Sequence, residues 1–585
     1  MAAARRRIRE LLEAERGDAF AWEGELSSSA LSTATAVMAL ATLDRHGEAT
    51  RIRRGREWLA AHGNADGGWG DTVRSESNLS TTALVWAAFG AAQGDQDPAL
   101  APASDRARGY LTRAAGSLEN LVPAIEARYG SDRTFSVPIT MTLALSGRLG
   151  ADGWRRVRPL PFELAALPRG LFGALRLPVV SYALPALIAI GQVIHHHRGG
   201  FHPIRNATRR RTLAVLETLQ PENGGFLEAT PLTSFVTMSL AGMGLGAHPV
   251  TRRGAEFLRR SVRPDGSWPI DTNLSTWVST LAIKALSGPG TGEGIPTARG
   301  AALRDWLLKQ QYRVVHPYTG AAPGGWAWTD LPGGVPDADD TSGALLALAL
   351  LPAPDQDAAL RSSVDAGVAW LLGLQNGDGG IPTFCRGWGT LPFDRSTPEI
   401  TAHALRAWMA WLPRLEPAGR RHVNDATRRA MRYLAGAQRS DGAWVPLWFG
   451  NEKAPRRENP VYGTAQVLTA LREPTLSVMP EAAPLILQAT AFLHKTQGAD
   501  GGWGGDAGVP PSVEETAVVL GALAGIPGSA DAVVRGTEWL VRAWEAESTP
   551  APAPIGLYFA QLWYFERLYP LVFSAEALGR VARIG

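Results

Sequence analysis

The chain reads as an all-α array of helical hairpins. Three observations carry this: a recurring Gly-rich aromatic turn, an aromatic–aliphatic pair before most turns, and apolar helices between them. Trp58-Leu59 leads to Asp66-Gly67-Gly68-Trp69, Gln220 to Asn223-Gly224-Gly225-Phe226, and Phe257-Leu258 to Asp265-Gly266-Ser267-Trp268. Trp306-Leu307 with Gln310 leads, past an insertion, to Gly324-Gly325-Trp326, and Trp370-Leu371 with Gln375 to Asp378-Gly379-Gly380-Ile381. Tyr433-Leu434 with Gln438 leads to Asp441-Gly442-Ala443-Trp444, and Phe492-Leu493 with Gln497 to Asp500-Gly501-Gly502-Trp503.

A repeat of roughly 40 to 60 residues holds two helices. The glycines supply positive φ after a helix end, and Asp or Asn before them bonds local backbone. The aromatic closes the turn onto the next helix, and the Gln amide ties the helix end to a neighbour, so these residues are braces. Ser275–Leu286, Thr341–Leu351, Thr401–Trp411 and Tyr462–Leu471 are rich in Ala, Leu and Val, as buried inner helices are.

Composition narrows the class. With 585 residues, 45% hydrophobic, 19% charged and 20 Trp, the chain has ample core for two or three domains. A net charge of +3 without a Lys/Arg-rich arm gives no sign of nucleic-acid binding. Cys385 is the only cysteine, which excludes intrachain disulfides and Cys-rich zinc sites. Residues Met1 to Glu15 lack the apolar core of a signal peptide, so a reducing, cytoplasmic compartment is expected. Leu160 to Ile194 is nearly long enough to span a bilayer but is interrupted by Arg176, Pro178 and Pro185. It suits an interfacial patch or a buried helix pair equally. His195, His196 and His197 read as a polar helix end rather than a metal site.

The chemistry concentrates in Pro336-Asp337-Ala338-Asp339-Asp340-Thr341, with three carboxylates in four residues at the start of an apolar helix. Like charges and desolvation both raise a carboxyl pKa, so a proton is retained near neutral pH and a general acid results. An Asp-rich N-cap on the helix dipole is the plainer alternative. Gly324-Gly325-Trp326-Ala327-Trp328 places aromatic rings close by in sequence.

Together the repeats and this motif resemble the squalene-hopene and oxidosqualene cyclases, with their QW repeats and Asp-x-Asp-Asp-Thr acid motif. The resemblance implies two α/α barrels, a monotopic membrane patch near 160–194 beside a substrate channel, and cyclisation begun by protonating a terminal alkene. Its domain scheme is an N-terminal segment 1–20 packed on the second barrel, a first barrel at 21–295 and a catalytic barrel at 296–585. Its members are often homodimers on the cytoplasmic face of a membrane.

Carried over by position, Asp339 resembles the catalytic acid, with Asp337 and Asp340 as acidic neighbours. His403, in Thr401-Ala402-His403, resembles the histidine bonded to that acid, where an imidazolium would stabilise the carboxylate left behind. Glu399, four residues earlier, could hold that charge. Trp277, Trp328, Phe384, Trp444, Tyr558 and Phe565 align with cavity aromatics that stabilise a travelling carbocation by about 0.5–2 kcal/mol each.

Hopene-forming members manage terminal water with a Gln-Pro-containing stretch. Here Glu228-Ala229-Thr230-Pro231-Leu232 stands instead, leaving water capture or deprotonation open as the last step. Glu23 and Glu25 in Trp22–Ser29 map to no site.

The expected activity is therefore proton-initiated cyclisation of squalene or a related linear polyprene, with no cofactor. The alternative is a prenyl diphosphate substrate with Mg²⁺ at its head group. A non-catalytic α-toroid membrane scaffold is a third reading. A protein prenyltransferase β-subunit is disfavoured because Cys385 has no Asp-x-Cys setting, and an ionisation-type synthase because Asp339-Asp340-Thr341-Ser342-Gly343 is not Asp-Asp-x-x-Asp.

Overall fold

A computed structural model describes residues 1–583 apart from 17–19, 92–96, 131, 169–170, 173–180, 289–293, 355–356, 385, 387–391 and 558–560. Its inner helices form two closed rings. In the first, α2 (Ala30–Asp44), α3 (Leu79–Gly90), α4 (Arg133–Leu145), α5 (Leu184–Arg198) and α6 (Thr230–Gly242) pack in sequence, and α6 returns onto α2. In the second, α7 (Ser275–Ser287), α8 (Ala338–Leu350), α9 (Pro398–Trp411), α10 (Pro460–Leu471), α11 (Val513–Leu523) and α12 (Tyr569–Ala582) do the same, with α12 against α7. The helices between them lie outside, and α1 (Ala2–Ala14) packs on α12. Because α7 closes the second ring, the boundary falls before residue 275, not at 295. Leu274–Leu286 lines the lumen beside the acid helix and cannot belong to the first unit.

The braces have a common geometry. The indole Nε1 atoms of Trp69, Trp268, Trp326, Trp444 and Trp503 donate to Leu59, Leu258, Leu307, Leu434 and Leu493 carbonyls, each at 2.8 Å. The Gln375 amide donates to Gly379 O and Ala426 O, tying one outer helix to the next, and Gln220, Gln438 and Gln497 repeat this. In the hairpin that ends at Trp326, Gln311 makes the tie, whereas Gln310 only caps its own helix. Gly442 has φ +93°, and a Cβ there would meet Gln488 O at 2.4 Å, so the turn admits only glycine.

A further brace was not legible. The hydroxyls of Thr33, Thr82, Thr233, Thr341, Thr401, Thr464 and Thr516 accept the N–H of the residue ending each turn. Each saves a buried donor from going unpaired, worth about 1–3 kcal/mol.

The apolar run at 160–194 is only partly described. Its last part is α5, whose Leu184, Ile188, Ile190, Val193 and Ile194 are core, not surface. Leu167 and Leu171 are exposed. Among the described residues no helix is long and apolar enough to cross a membrane. His195 bonds Asn206 Oδ1 and His197 bonds Gly242 O, a helix-end polar cluster.

Candidate active site

Inner helices α7 to α11 each enter from a turn and leave toward an outer helix, so their N-termini share one mouth of the second ring. At that mouth Asp337 caps α8, its Oδ1 accepting Asp340 N–H at 2.8 Å, and Thr341 braces Trp326. The acidic triplet is thus a capped helix and a carboxyl cluster at once. Burial pushes Asp337 up to about 7; Asp340 goes well above its ordinary value because the Asp337 charge adds to burial. Asp337 Oδ2 and Asp340 Oδ1 are buried without hydrogen-bond partners.

Asp339 turns the other way. Its Oδ1 lies 2.6 Å from His403 Nδ1 on α9, while His403 Nε2 is buried and unpartnered. Burial holds the His403 ring below its ordinary value despite Asp339, and Lys284 and Arg406 add to the effect. Burial thus works against the imidazolium expected from the sequence, while the Asp339 contact works for it. Glu399 does not hold a charge on His403. Its Oε1 accepts the Leu447 and Trp448 amides at 2.7 and 3.3 Å, and burial raises it to about 7. It fixes the loop that carries Trp448 and Phe449.

Aromatic rings wall the mouth. Trp277 stands 6.1 Å from the His403 ring, edge to face, and donates through Nε1 to Tyr569 Oη at 3.1 Å. Phe449 lies 6.3 Å from Trp277 and stacks on Tyr462 at 4.6 Å. Trp328 and Phe384 are 6.3 Å apart, and Phe384 also meets Tyr182, Phe393 and Trp448. The Trp277 N–H bond to Trp328 O joins the two groups.

Of the expected aromatics, Trp277, Trp328 and Phe384 are thus brought together, and Trp444 and Phe565 are not. Trp444 is fully buried as a brace, so its face is spent on packing, and Trp448, four residues on, takes its place at the wall. Phe565 sits under Arg74, with its backbone paired to Ser27. Tyr558 lies outside the described residues. Phe449, Tyr462 and Tyr569 join the wall without having been foreseen; Tyr462 and Tyr569 open inner helices, and Phe449 follows Trp444 by five residues.

A recess of about 430 Å³, lined by residues including Tyr182, Ala321, Pro323, Trp370 and Phe384, opens beside this wall. Glu228 is buried and accepts from Asn223 Nδ2, Gly333 N–H and Thr272 Oγ1.

Family models place the same two units. The squalene-hopene cyclase C-terminal domain matches residues 273–583 and the N-terminal domain residues 5–177. The chain belongs to the squalene-hopene cyclase family. Within it, a terpene cyclase-glycosyl transferase fusion protein, fsoA, of Humicola fuscoatra is 30% identical over 438 residues, 65% of this chain and 31% of that protein. Drimenyl diphosphate synthase of Streptantibioticus cattleyicolor is 32% identical over 311 residues, 50% of each. This squalene-hopene cyclase family member thus spans about a third to a half of these curated relatives' lengths. Among solved structures, ent-copalyl diphosphate synthase from Streptomyces platensis aligns over 99% of both chains with a TM-score of 0.60 at 20% identity, a shared fold.

Proposed function

We propose that this chain is a class II terpene cyclase in which Asp339 protonates the terminal alkene of a linear polyprene, squalene or a relative. The single observation that carries the reading is the 2.6 Å Asp339–His403 contact at a mouth walled by Trp277, Phe449 and Tyr462. His403 Nδ1–H donates to Asp339 Oδ1, which leaves Oδ2 to carry the acid proton. The alkene π pair takes that proton as a new C–H bond, a tertiary cation forms, and the electron pair of the O–H bond stays on Asp339. Successive alkenes then close rings while aromatic faces hold the charge and the apolar wall excludes water. The recess beside Phe384, with Leu167 and Leu171 exposed upstream of Tyr182, supports entry of substrate from a membrane surface by a peripheral, monotopic contact.

A second reading, a prenyl diphosphate substrate, is favoured by one observation. Arg128 Nε and Nη2 are buried without partners, and burial together with Arg128 holds the nearby Arg457 below its ordinary value. Such a pair would take an anionic head group. Among the described residues no three His, Cys, Asp or Glu side chains gather as a metal site, so Mg²⁺ would arrive on the diphosphate oxygens.

One experiment tests both readings: squalene and geranylgeranyl diphosphate incubated side by side, with and without EDTA, and products read by mass spectrometry. EDTA-resistant cyclisation of squalene supports the first reading, and EDTA-sensitive cyclisation of the diphosphate the second. An Asp339→Asn protein that still cyclised either would sink both.

A further inference from the structure

Below the Asp339–His403 pair the lumen of the second ring does not continue apolar. Helical periodicity stacks a polar layer beneath the catalytic one. Lys284 follows Trp277 by seven residues on α7, and Arg406 follows His403 by three on α9. Gln466 follows Tyr462 by four on α10, and Glu576 and Arg580 follow Phe573 on α12. All of these line one cavity of about 50 Å³ that also touches Asp339, Glu399 and His403. That is room for a few waters.

The charges in this layer are unbalanced. Glu576 pairs with Arg580 at 2.9 Å, and Arg406 meets Glu473 at 3.6 Å. Lys284 is 7% exposed, and its ammonium has no ion pair or hydrogen bond among the described residues. The carboxylates whose charges act on it are Glu576 and Asp339, and the Trp277 ring lies 5.8 Å from Nζ and in turn 6.1 Å from His403. A buried ammonium with no direct ion pair costs stability that the Glu576 and Asp339 charges offset only in part, since burial still lowers it, and a methionine would fill the same space without that cost. A cation kept at that cost in a lumen that reaches Asp339 points to a functional group.

We infer that Lys284 is a positioning residue whose positive charge, aimed up the lumen, stabilises the Asp339 carboxylate left after proton transfer. The inference rests on Asp339 being the acid, and it adds a fixed cation beside a His403 whose own protonation burial opposes. An isolated alkene is a very weak base, so its acid must be strong, and a nearby fixed cation makes a carboxyl stronger. Burial pushes Lys284 only to about 8, so the charge is present at neutral pH. Around the pair stand Asp337 and Asp340 on α8, Glu399 and Arg406 on α9, Tyr462 on α10, Tyr569, Glu576 and Arg580 on α12, and Tyr564 before it. Although burial works against it, Arg580, Lys284 and Arg406 pull Glu576 down to about 2, so it stays ionised throughout and cannot supply the pH dependence described next.

The test compares full-length wild type, Lys284→Met and Lys284→Arg, using squalene or geranylgeranyl diphosphate, whichever the wild type converts. In Lys284→Met the acid is weaker. Its kcat falls by up to about tenfold, and the alkaline limb of the kcat/KM profile moves up by on the order of one pH unit. Its melting midpoint holds or rises, where loss of a merely structural residue would lower it. Lys284→Arg restores rate and limb. Independently of turnover, the ¹³C-labelled ring of His403 titrates about one unit higher in Lys284→Met. An unmoved limb with an unmoved His403 titration overturns the inference. Failure of the wild type on both substrates, with the His403 shift intact, counts against the reaction assigned to Asp339 and not against the role of Lys284 in the lumen.

Discussion

Glu566→Gln offers a pH experiment whose size follows from the structure. Glu566 precedes α12 and pins the crossing N-terminal strand: its Oε1 accepts the Glu25 amide at 2.8 Å and the Leu568 amide at 3.1 Å. Its Oε2 is buried without a partner, and a Cβ on Gly24 would meet Oε1 at 2.3 Å, so no water fits between. Burial outweighs the two amides and raises this carboxyl from 4.5 to about 7. In that window the unfolded chain has released the proton and the folded chain keeps it, so stability falls as pH rises. The contribution is full below about 4.5 and gone above about 7. A shift of about 2.5 units corresponds to roughly 3 kcal/mol, undiminished by screening because the group is buried. At about 2.1 cal/mol/K per residue, 585 residues give an unfolding entropy of roughly 1.2 kcal/mol/K, so the effect is about 2–3 °C in Tm. The amide keeps the Oε1 acceptor and cannot titrate. Melting followed by circular dichroism at pH 5 and pH 8 should therefore show wild type losing about 2–3 °C more than Glu566→Gln. A difference between the two proteins that stays constant from pH 5 to pH 8 refutes the assignment.

Three further outcomes follow. Trp503→Ala removes a fully buried ring and its bond to Leu493 O, and urea midpoints should report a loss of about 3–5 kcal/mol. Trp448→Leu should leave the urea midpoint nearly unchanged but redistribute products, seen by gas chromatography, because its ring faces Phe384 and Phe393 at the cavity wall. His403→Phe should retain its far-UV spectrum while kcat drops about 10²-fold, since Asp339 loses the donor that orients it.

The hairpin array was legible because glycine turns, tryptophans and glutamines are rare enough to count, and each obeys a local rule. The threonine brace was not, because threonine at the head of an Ala/Leu-rich helix looks like any inner-helix residue until its partner three dimensions away is seen. Gln310 and Gln311 are indistinguishable by spacing once an insertion separates them from Gly324; only the reach to Ser363 O picks Gln311. The Asp339–His403 pairing was anticipated by resemblance, but the lowering of the His403 ring comes first from burial and then from Lys284 and Arg406, which sit on helices that read as apolar or ordinary. The misplacement of Trp444 has the same origin. A tryptophan that ends a turn and one four residues later look alike in sequence, yet a closed bond to Leu434 O commits the first to the scaffold.

The acid motif is itself a brace with chemistry added. Helix α8 begins with a cap at Asp337 and a threonine four residues on, the spacing found at Asn78 and Thr82, Thr397 and Thr401, and Ser512 and Thr516. Two residues past each cap come Ser80, Asp339, Glu399 and Glu514, so three of the four hairpins present a carboxyl at the same register. What separates Asp339 from the others is its partner. Glu399 is tied to the Leu447 and Trp448 amides and Glu514 to the Ala553 amide, bonds that fix loops and move no proton. Asp337 is tied to the Asp340 amide in the same way. Among these carboxyls, Asp339 alone is bonded to an imidazole. A carboxyl held by backbone amides is anchored as an acceptor, whereas Asp339 is held by a histidine on the neighbouring helix. Register alone therefore does not set Asp339 apart; its imidazole neighbour does, and on the proposed reading that pairing is what Glu399 and Glu514 lack as acids.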